Sequence, residues 1–151
     1  MGTVFKAPKD LLSNVGAQLG QTDWFEITQE RINQFAEATG DYQWIHIDEE
    51  QAKQGPFGAT IAHGYLTLSL TNMFLPGIIS VENISMGINY GVNKVRFPAP
   101  VPSGSKVRFS AMLQDVTEIP GGVQAVIVIT VEVEGSEKPA CVVESVTRYL
   151  D

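Results

Sequence analysis

Cysteine and histidine are scarce in this chain of 151 residues, which contains one cysteine and two histidines. The single cysteine, Cys141, excludes an internal disulfide framework and any metal site built from several cysteines. Its neighbours Ala140 and Val142 are small and apolar. This setting is typical of a buried packing residue and not of a nucleophile.

Positive charge is also scarce, since 10 lysines and arginines stand against 17 aspartates and glutamates, for a net charge of −7. A protein that binds nucleic acid by neutralising phosphates needs the opposite balance or a separate basic face. No apolar run is long enough to cross a membrane, and the N-terminal segment lacks the hydrophobic stretch of a signal peptide. We therefore expect a cytoplasmic protein with no nucleic-acid partner and no membrane partner.

The rest of the composition is that of a folded domain. Apolar residues make up 44% of the chain and charged residues 18%, which is enough for a core and too little charge for disorder. The length suits one compact domain, and no repeat, low-complexity segment or long linker divides it. We expect residues 1–151 to form a single domain.

The first half of the chain carries helix signals. Thr28 is a good N-cap and Gly40 a good C-terminal stop, so their spacing predicts a helix between them. Residues 60–75 are apolar on nearly every side and are closed by Pro76-Gly77. We expect this segment to be a long helix that is buried around most of its circumference.

After Pro76 the hydrophobic period changes to the alternation that is typical of strands. Gly121-Gly122 and Gly135-Ser136 lie where hairpin turns are needed, which predicts three strands of about a dozen residues in an antiparallel meander. A long apolar helix needs a sheet to cover it. The pattern therefore predicts an α+β fold in which a curved antiparallel sheet wraps around the central helix.

Both histidines of the chain lie close in sequence to Asp41. Asp41 and His46 are five residues apart, a spacing that lets a carboxylate and an imidazole converge on one point, such as a bound water. Histidine can take or give a proton near neutral pH because its usual pKa is about 6.5. A structural alternative is that Asp41 stabilises the turn after Gly40 and that His46 is a partly buried residue. Taken alone, the residues favour this alternative.

His63-Gly64 lies near the start of the long predicted helix. Backbone N–H groups there lack an intrahelical acceptor, and the helix dipole favours negative charge. The Gly64 N–H could therefore donate to a developing oxyanion. Close packing of helix and sheet explains the glycine equally well. For His63 a structural role, capping or filling the helix start, is favoured over catalysis.

Four basic residues fall in a stretch from Asn83 to Gln114 that contains no acidic residue. They are Lys94, Arg96, Lys106 and Arg108. Such a positive patch suits a phosphate-bearing ligand. A solvated strand face that discourages edge-to-edge aggregation explains it as well.

Two longer segments make the pattern specific. The stretch FAEATGDYQWIHIDEEQA, followed by GPFGATIAHGYLTLSL, resembles the hydratase-2 motif of MaoC-like (R)-specific enoyl-CoA hydratases. INYGVNKVRFPAPVPSGSKVR and KPACVVESVTRY resemble the strand signatures of the single-domain, actinobacterial-type branch of that family. The resemblance runs from about Gly20 to Tyr149. It implies the hot-dog fold, which agrees with the α+β fold expected from the hydrophobic pattern.

The resemblance also assigns roles. It implies that Asp41 and His46 are the catalytic pair and that the Gly64 backbone N–H forms the oxyanion hole. The usual motif has Asn-Pro where this chain has Gln43-Trp44. The amide of Gln43 can still form a hydrogen bond, so we expect it to contact substrate.

The implied function is that of an (R)-specific enoyl-CoA hydratase or 3-hydroxyacyl-CoA dehydratase, which adds water reversibly to trans-2-enoyl thioesters. With an acyl-CoA substrate, Lys94 and Arg96 become candidate contacts for the nucleotide phosphates. The resemblance implies a homodimer, and no cofactor and no metal are expected. Alternatives are a hot-dog acyl-CoA thioesterase and a non-catalytic acyl-CoA-binding subunit of a heteromeric dehydratase. The presence of both Asp41 and His46 favours the hydratase.

Overall fold

The computed structural model describes residues 2–151. The strands in this range are Thr3–Phe5 (β1), Gln18–Gln21 (β2), Phe25–Glu26 (β3), Ile79–Val81 (β4), Met86–Arg96 (β5), Lys106–Ile119 (β6), Gly122–Val133 (β7) and Cys141–Leu150 (β8). The helices are a 3-10 helix at Pro8–Ser13 and the α-helices Gln29–Thr39 (α1), Trp44–Ile47 (α2), Glu49–Lys53 (α3) and Gly64–Ile78 (α4).

Six strands form one antiparallel sheet in the order β2-β6-β7-β8-β5, with β3 paired to one end of β6. Strands β1 and β4 pair in parallel beside it. Gly121 and Gly135 lie in the two turns of the β6-β7-β8 meander, each with φ of +83°, a backbone region that favours glycine. The predicted meander and both of its turns are confirmed.

The inner face of the sheet and one face of α4 share the main hydrophobic core. Along β7 every second residue is buried, as expected for a strand with one covered face. Leu66, Leu70 and Leu75 of α4 join the inward side chains of β6, β7 and β8 in one cluster. Each large aliphatic side chain that is fully buried contributes about 1.5–3 kcal/mol. The sheet packed on a central helix confirms the α+β prediction and has the hot-dog arrangement.

Cys141 lies in this core with no exposed surface. Burial raises the pKa of its thiol to about 11. A buried thiol with a raised pKa is a poor nucleophile, so the predicted packing role is confirmed.

Helix α4 begins at Gly64, four residues later than the predicted start at residue 60. The chain before it is held in a non-helical form by distant segments. The Ile61 N–H donates to the carbonyl of Ile45 at 3.0 Å, and Ile61 forms an isolated antiparallel bridge with Pro102. The predicted start was wrong because these partners are remote in sequence.

The predicted end and burial of α4 were also wrong. The helix continues through Pro76 to Ile78, because a proline in the last turn removes only one intrahelical hydrogen bond. The sheet covers one side of the helix and leaves a stripe on the other side exposed. The exposed stripe consists of Tyr65, Ser69, Asn72, Met73 and Pro76.

No helix within residues 2–151 is long and apolar enough to cross a membrane.

Candidate active site

Helix α1 positions Asp41, which follows the C-cap of the helix. The Thr28 hydroxyl accepts the N–H of Arg31 and caps the start of the helix. Gly40, with φ of +79°, ends it and donates its N–H to the carbonyl of Ala36. Both predicted helix signals are therefore confirmed, and Asp41 follows directly as the first residue of an exposed loop.

His46 lies on the single turn of α2 and is 7% exposed. Its Nδ1 is 2.7 Å from the carbonyl oxygen of Ile61. A carbonyl can only accept, so Nδ1 must carry the proton of the neutral ring. The other nitrogen, Nε2, is then left unprotonated and can accept a proton.

Gln29, in the first turn of α1, holds the backbone of the segment that carries His46. Its side-chain amide donates to the backbone carbonyl of His46 at 2.7 Å, and its carbonyl oxygen accepts the Thr60 hydroxyl. Gln29 was not predicted from the sequence, because its partners are 17 and 31 residues away. A polar residue in the first turn of an otherwise ordinary helix gives no signal of that role.

His63 is the residue before α4 and is 3% exposed. Its ring stacks on the ring of His46, with centroids 3.9 Å apart and planes inclined by 23°. Its Nε2 lies 3.0 Å from the backbone carbonyl of Asp41, so it carries the proton and donates. Burial is the main cause and lowers the pKa of His63 below its usual 6.5, although the hydrogen bond to the Asp41 carbonyl raises it in part. His63 is therefore neutral at pH 7.

The side chain of His63 does not cap the helix, since it makes no hydrogen bond to the first N–H groups of α4. Its Nδ1 is buried and has no hydrogen-bond partner among residues 2–151. Of the structural role expected for His63, capping the helix start was wrong, because the ring donates to Asp41 instead, whereas its burial is compatible with filling the helix start.

Asp41, His46 and Gly64 line one cavity of about 300 Å³, together with His63, Tyr65 and Phe97. The structure thus brings together the residues that the sequence singled out from separate segments. Gly64 is the first residue of α4, where backbone N–H groups lack an intrahelical acceptor. One cavity thus holds a carboxylate, an imidazole nitrogen and a backbone N–H, and the last two have no hydrogen-bond partner within residues 2–151.

Potential ligand atoms of Asp41, His46 and His63 lie within 4.8 Å of one another. One nitrogen of each ring already faces a backbone carbonyl. The remaining lone pairs lie in ring planes that are nearly parallel, and such lone pairs do not converge on one ion as tetrahedral zinc ligands do. The arrangement suits a water held by Asp41 and His46 better than a metal.

A second cavity, of about 340 Å³, adjoins the first. Gly64 and Phe97 line both cavities, and a methyl group added to Gly64 would lie 3.2 Å from the Phe97 ring. The remaining walls are largely apolar and include Phe57, Ile61, Ala62, Pro98, Val101 and Ala140. Sequence analysis missed this cavity, although the apolar, proline-rich run at 97–101 was a local signal for an ordered apolar segment.

The other predicted contacts lie outside these cavities. Gln43 is exposed and precedes α2, and its side chain is not part of either lining. Lys94 and Arg96 lie on β5, the last strand of the sheet. Arg96 directly precedes Phe97, which places this pair of cations beside the wall shared by the two cavities.

The four basic residues do not form one patch, and that expectation was wrong. Strands β7 and β8 separate β5 from β6, so three strand spacings, about 14 Å along the sheet, lie between the two strands that carry the pairs. Arg108 also donates to the Glu132 carboxylate at 2.9 Å and stacks on Trp24. Its charge is therefore compensated, and the pair on β5 is the one that adjoins Phe97 in the chain.

Comparison with known proteins agrees with this geometry. The model of the family described as "MaoC like domain" matches residues 10–135. The 3-hydroxyacyl-thioester dehydratase Z of Mycobacterium tuberculosis is 54% identical over 147 residues, which is 97% of each chain. Nodulation protein N of Rhizobium leguminosarum bv. viciae is 40% identical, over 91% of this chain and 88% of that protein.

Among solved structures, the unliganded R-hydratase from Pseudomonas aeruginosa has a TM-score of 0.77 at 20% identity. The match covers 97% of this chain and 87% of that chain, and it shows a shared fold. Given the family match over most of the chain and a relative with more than half of its residues identical, this protein belongs to the MaoC-like dehydratase family.

Proposed function

We propose that this protein is an (R)-specific hydro-lyase for acyl thioesters, removing water from 3-hydroxyacyl thioesters and adding it to trans-2-enoyl thioesters. The observation that carries the proposal is the shared cavity of Asp41, His46 and Gly64. The high identity to a protein named 3-hydroxyacyl-thioester dehydratase supports the same reaction.

In our proposal Asp41 and His46 hold the reacting water. In hydration the water oxygen bonds to C3 of the enoyl chain, the water gives up one proton, and C2 receives one. The free Nε2 of His46 can take a proton because the Ile61 carbonyl keeps the other ring nitrogen protonated. The Asp41 carboxylate is the second group that can exchange a proton on the same side of the double bond.

Negative charge develops on the thioester carbonyl oxygen while C3 is attacked. In our proposal the N–H of Gly64 at the start of α4 stabilises that charge, aided by the helix dipole. Gly64 also packs against Phe97, so the close-packing role and the oxyanion role are compatible.

We assign the substrate to the acyl-CoA class. The largely apolar cavity that Phe97 and Pro98 line offers space for the apolar part of a thioester. Arg96 directly precedes Phe97 in the chain, and we propose Lys94 and Arg96 as contacts for the phosphates. Gln43, exposed at the loop that carries the catalytic pair, is proposed to orient the substrate through its amide.

We also propose a homodimer. Strand β5 lies at the end of the sheet with one edge unpaired in residues 2–151, and most of its side chains are exposed. Met86, Ile88, Tyr90 and Val92 are the large apolar residues exposed along it. An apolar edge strand favours association with a second copy, and light scattering after size exclusion would measure the mass. A cytoplasmic location is a further proposal that cell fractionation tests.

The decisive experiment is incubation of the purified chain with crotonyl-CoA, following the absorbance of the conjugated enoyl thioester. We expect this absorbance to fall and (R)-3-hydroxybutyryl-CoA to form. Release of free thiol would instead favour a thioesterase. Binding of enoyl-CoA thioesters of several lengths without turnover would favour a non-catalytic subunit and contradict the proposal.

A further inference from the structure

His63 touches both members of the proposed catalytic pair. Its Nε2–H donates to the backbone carbonyl of Asp41 at 3.0 Å, and its ring face covers the ring of His46 at 3.9 Å. Its remaining nitrogen is buried and cannot reach a substrate in the cavity. The residue is therefore in contact with the site without having an atom free to react.

Asp41 has few other attachments. It follows the end of α1 and is exposed. Its own N–H is 3.4 Å from the Thr39 hydroxyl, and its carboxylate accepts the Gln43 N–H at 3.4 Å. Both contacts are long for hydrogen bonds, whereas the contact from His63 is of ordinary length. The bond from His63 is thus the strongest tie between the Asp41 backbone and the buried part of the fold.

A purely structural role does not explain a histidine at this position. The side chain leaves the N–H groups of α4 uncapped. It also buries a nitrogen without a hydrogen-bond partner in residues 2–151, which destabilises a protein. A phenylalanine or leucine would fill the space without that cost, but neither could donate to the Asp41 carbonyl.

We propose that His63 is a positioning residue, which sets the distance between the Asp41 carboxylate and His46 through one hydrogen bond and one stacked ring face. This inference rests on the proposed function. Displacement of a reacting group by about 1 Å can lower a rate about 100-fold. Since the substrate does not contact the buried nitrogen of His63, the effect falls on kcat and not on KM.

Two variants with side chains of similar length separate the hydrogen-bond donation of His63 from its packing role. In His63→Gln the side-chain amide reaches about as far as Nε2 and can donate to Asp41. In His63→Met the side chain has a similar length and no donor. We expect His63→Met to lose about 100-fold in kcat, with KM within about twofold of the wild type, and His63→Gln to retain most of the rate.

The thermal unfolding midpoints of both variants serve as the control. If folded His63→Met and His63→Gln retain equal rates, or lose the rate equally, the donor is not what matters and the proposal is overturned. A wild type that is inactive on every thioester overturns the proposed function instead, and the next measurement tests the position of His63 without substrate.

The protein has only two histidines, so ¹⁵N spectra of the imidazole rings are readily assigned with one variant. In the wild type near pH 7.5 we expect the proton of His63 on Nε2 and the proton of His46 on Nδ1. A proton on Nδ1 of His63 would exclude its bond to Asp41 and overturn the proposal even if neither variant folds.

Discussion

Replacing Asp41 by asparagine removes one negative charge from the cavity and keeps nearly the same volume. The side chain is exposed, and its carboxylate accepts one long hydrogen bond, from the Gln43 N–H at 3.4 Å. The bond from His63 goes to the backbone carbonyl and does not depend on the side chain. We therefore expect the free energy of unfolding of Asp41→Asn to stay within about 0.5 kcal/mol of the wild type.

The effect on catalysis should be far larger. An amide cannot take a proton from water, and loss of a general acid–base group lowers rates by about 10²–10⁴. This range corresponds to about 2.7–5.4 kcal/mol of activation free energy. Steady-state hydration of crotonyl-CoA should show the loss in kcat, and chemical denaturation should show the unchanged stability.

Asp48→Asn is the matched control, because Asp48 is exposed and only seven residues away. Its carboxylate accepts the N–H of Gln51 at 2.9 Å and caps α3. Asparagine caps a helix about as well as aspartate, so this variant should keep both stability and kcat. If Asp41→Asn were folded and kept more than about a tenth of kcat, the general acid–base role of Asp41 would be refuted. An equal loss in Asp48→Asn would assign the effect to net charge.

Three further outcomes follow from the walls of the cavities and the buried imidazole. Gly64→Ala places a methyl 3.2 Å from Phe97 and should lower kcat/KM about 10-fold or more. Gly77→Ala in the same helix is the control, because its methyl meets nothing within 4 Å and should leave kcat/KM unchanged. Phe97→Ala shortens a side chain that lines both cavities and should raise kcat/KM for long enoyl chains relative to crotonyl-CoA; an unchanged ratio across a chain-length series would contradict this. Burial lowers the pKa of His63 below 6.5, so the unfolded state takes up the proton first and wild-type stability should fall as the pH drops below about 6.5. Urea unfolding from about pH 7.5 to 5.5 should show a flatter dependence for His63→Gln.

Features fixed by neighbouring residues were predictable from the sequence. Thr28 and Gly40 define α1 because a cap and a left-handed stop act within one turn of the helix. The glycine turns define the β6-β7-β8 meander for the same reason. The proximity of Asp41 and His46 also follows from a short loop, although their catalytic roles and the single-domain extent of residues 1–151 remain predictions.

Features fixed by sheet order were not predictable. Lys94 and Arg96 are near Lys106 and Arg108 in sequence, yet two strands separate the pairs in the sheet. Likewise Phe97 contacts Gly64 across more than 30 residues of chain. Hydrophobic period and local propensity carry no information on which distant segments become neighbours.

The misplaced start of α4 shows how this limit bears on the site. Had residues 60–63 been helical, the Ile61 carbonyl would accept the N–H of Tyr65 in the helix ladder. It would then not be available to His46, whose Nδ1 it now holds at 2.7 Å. His46 could adopt the other tautomer, and its Nε2 would no longer be fixed as the proton acceptor. The helix expected at 60–63 is replaced by an extended chain, which suits the β-branched Thr60 and Ile61. That chain supplies the carbonyl that orients the histidine proposed as the proton acceptor. The extended backbone before α4 is therefore what the proposed chemistry requires at this position.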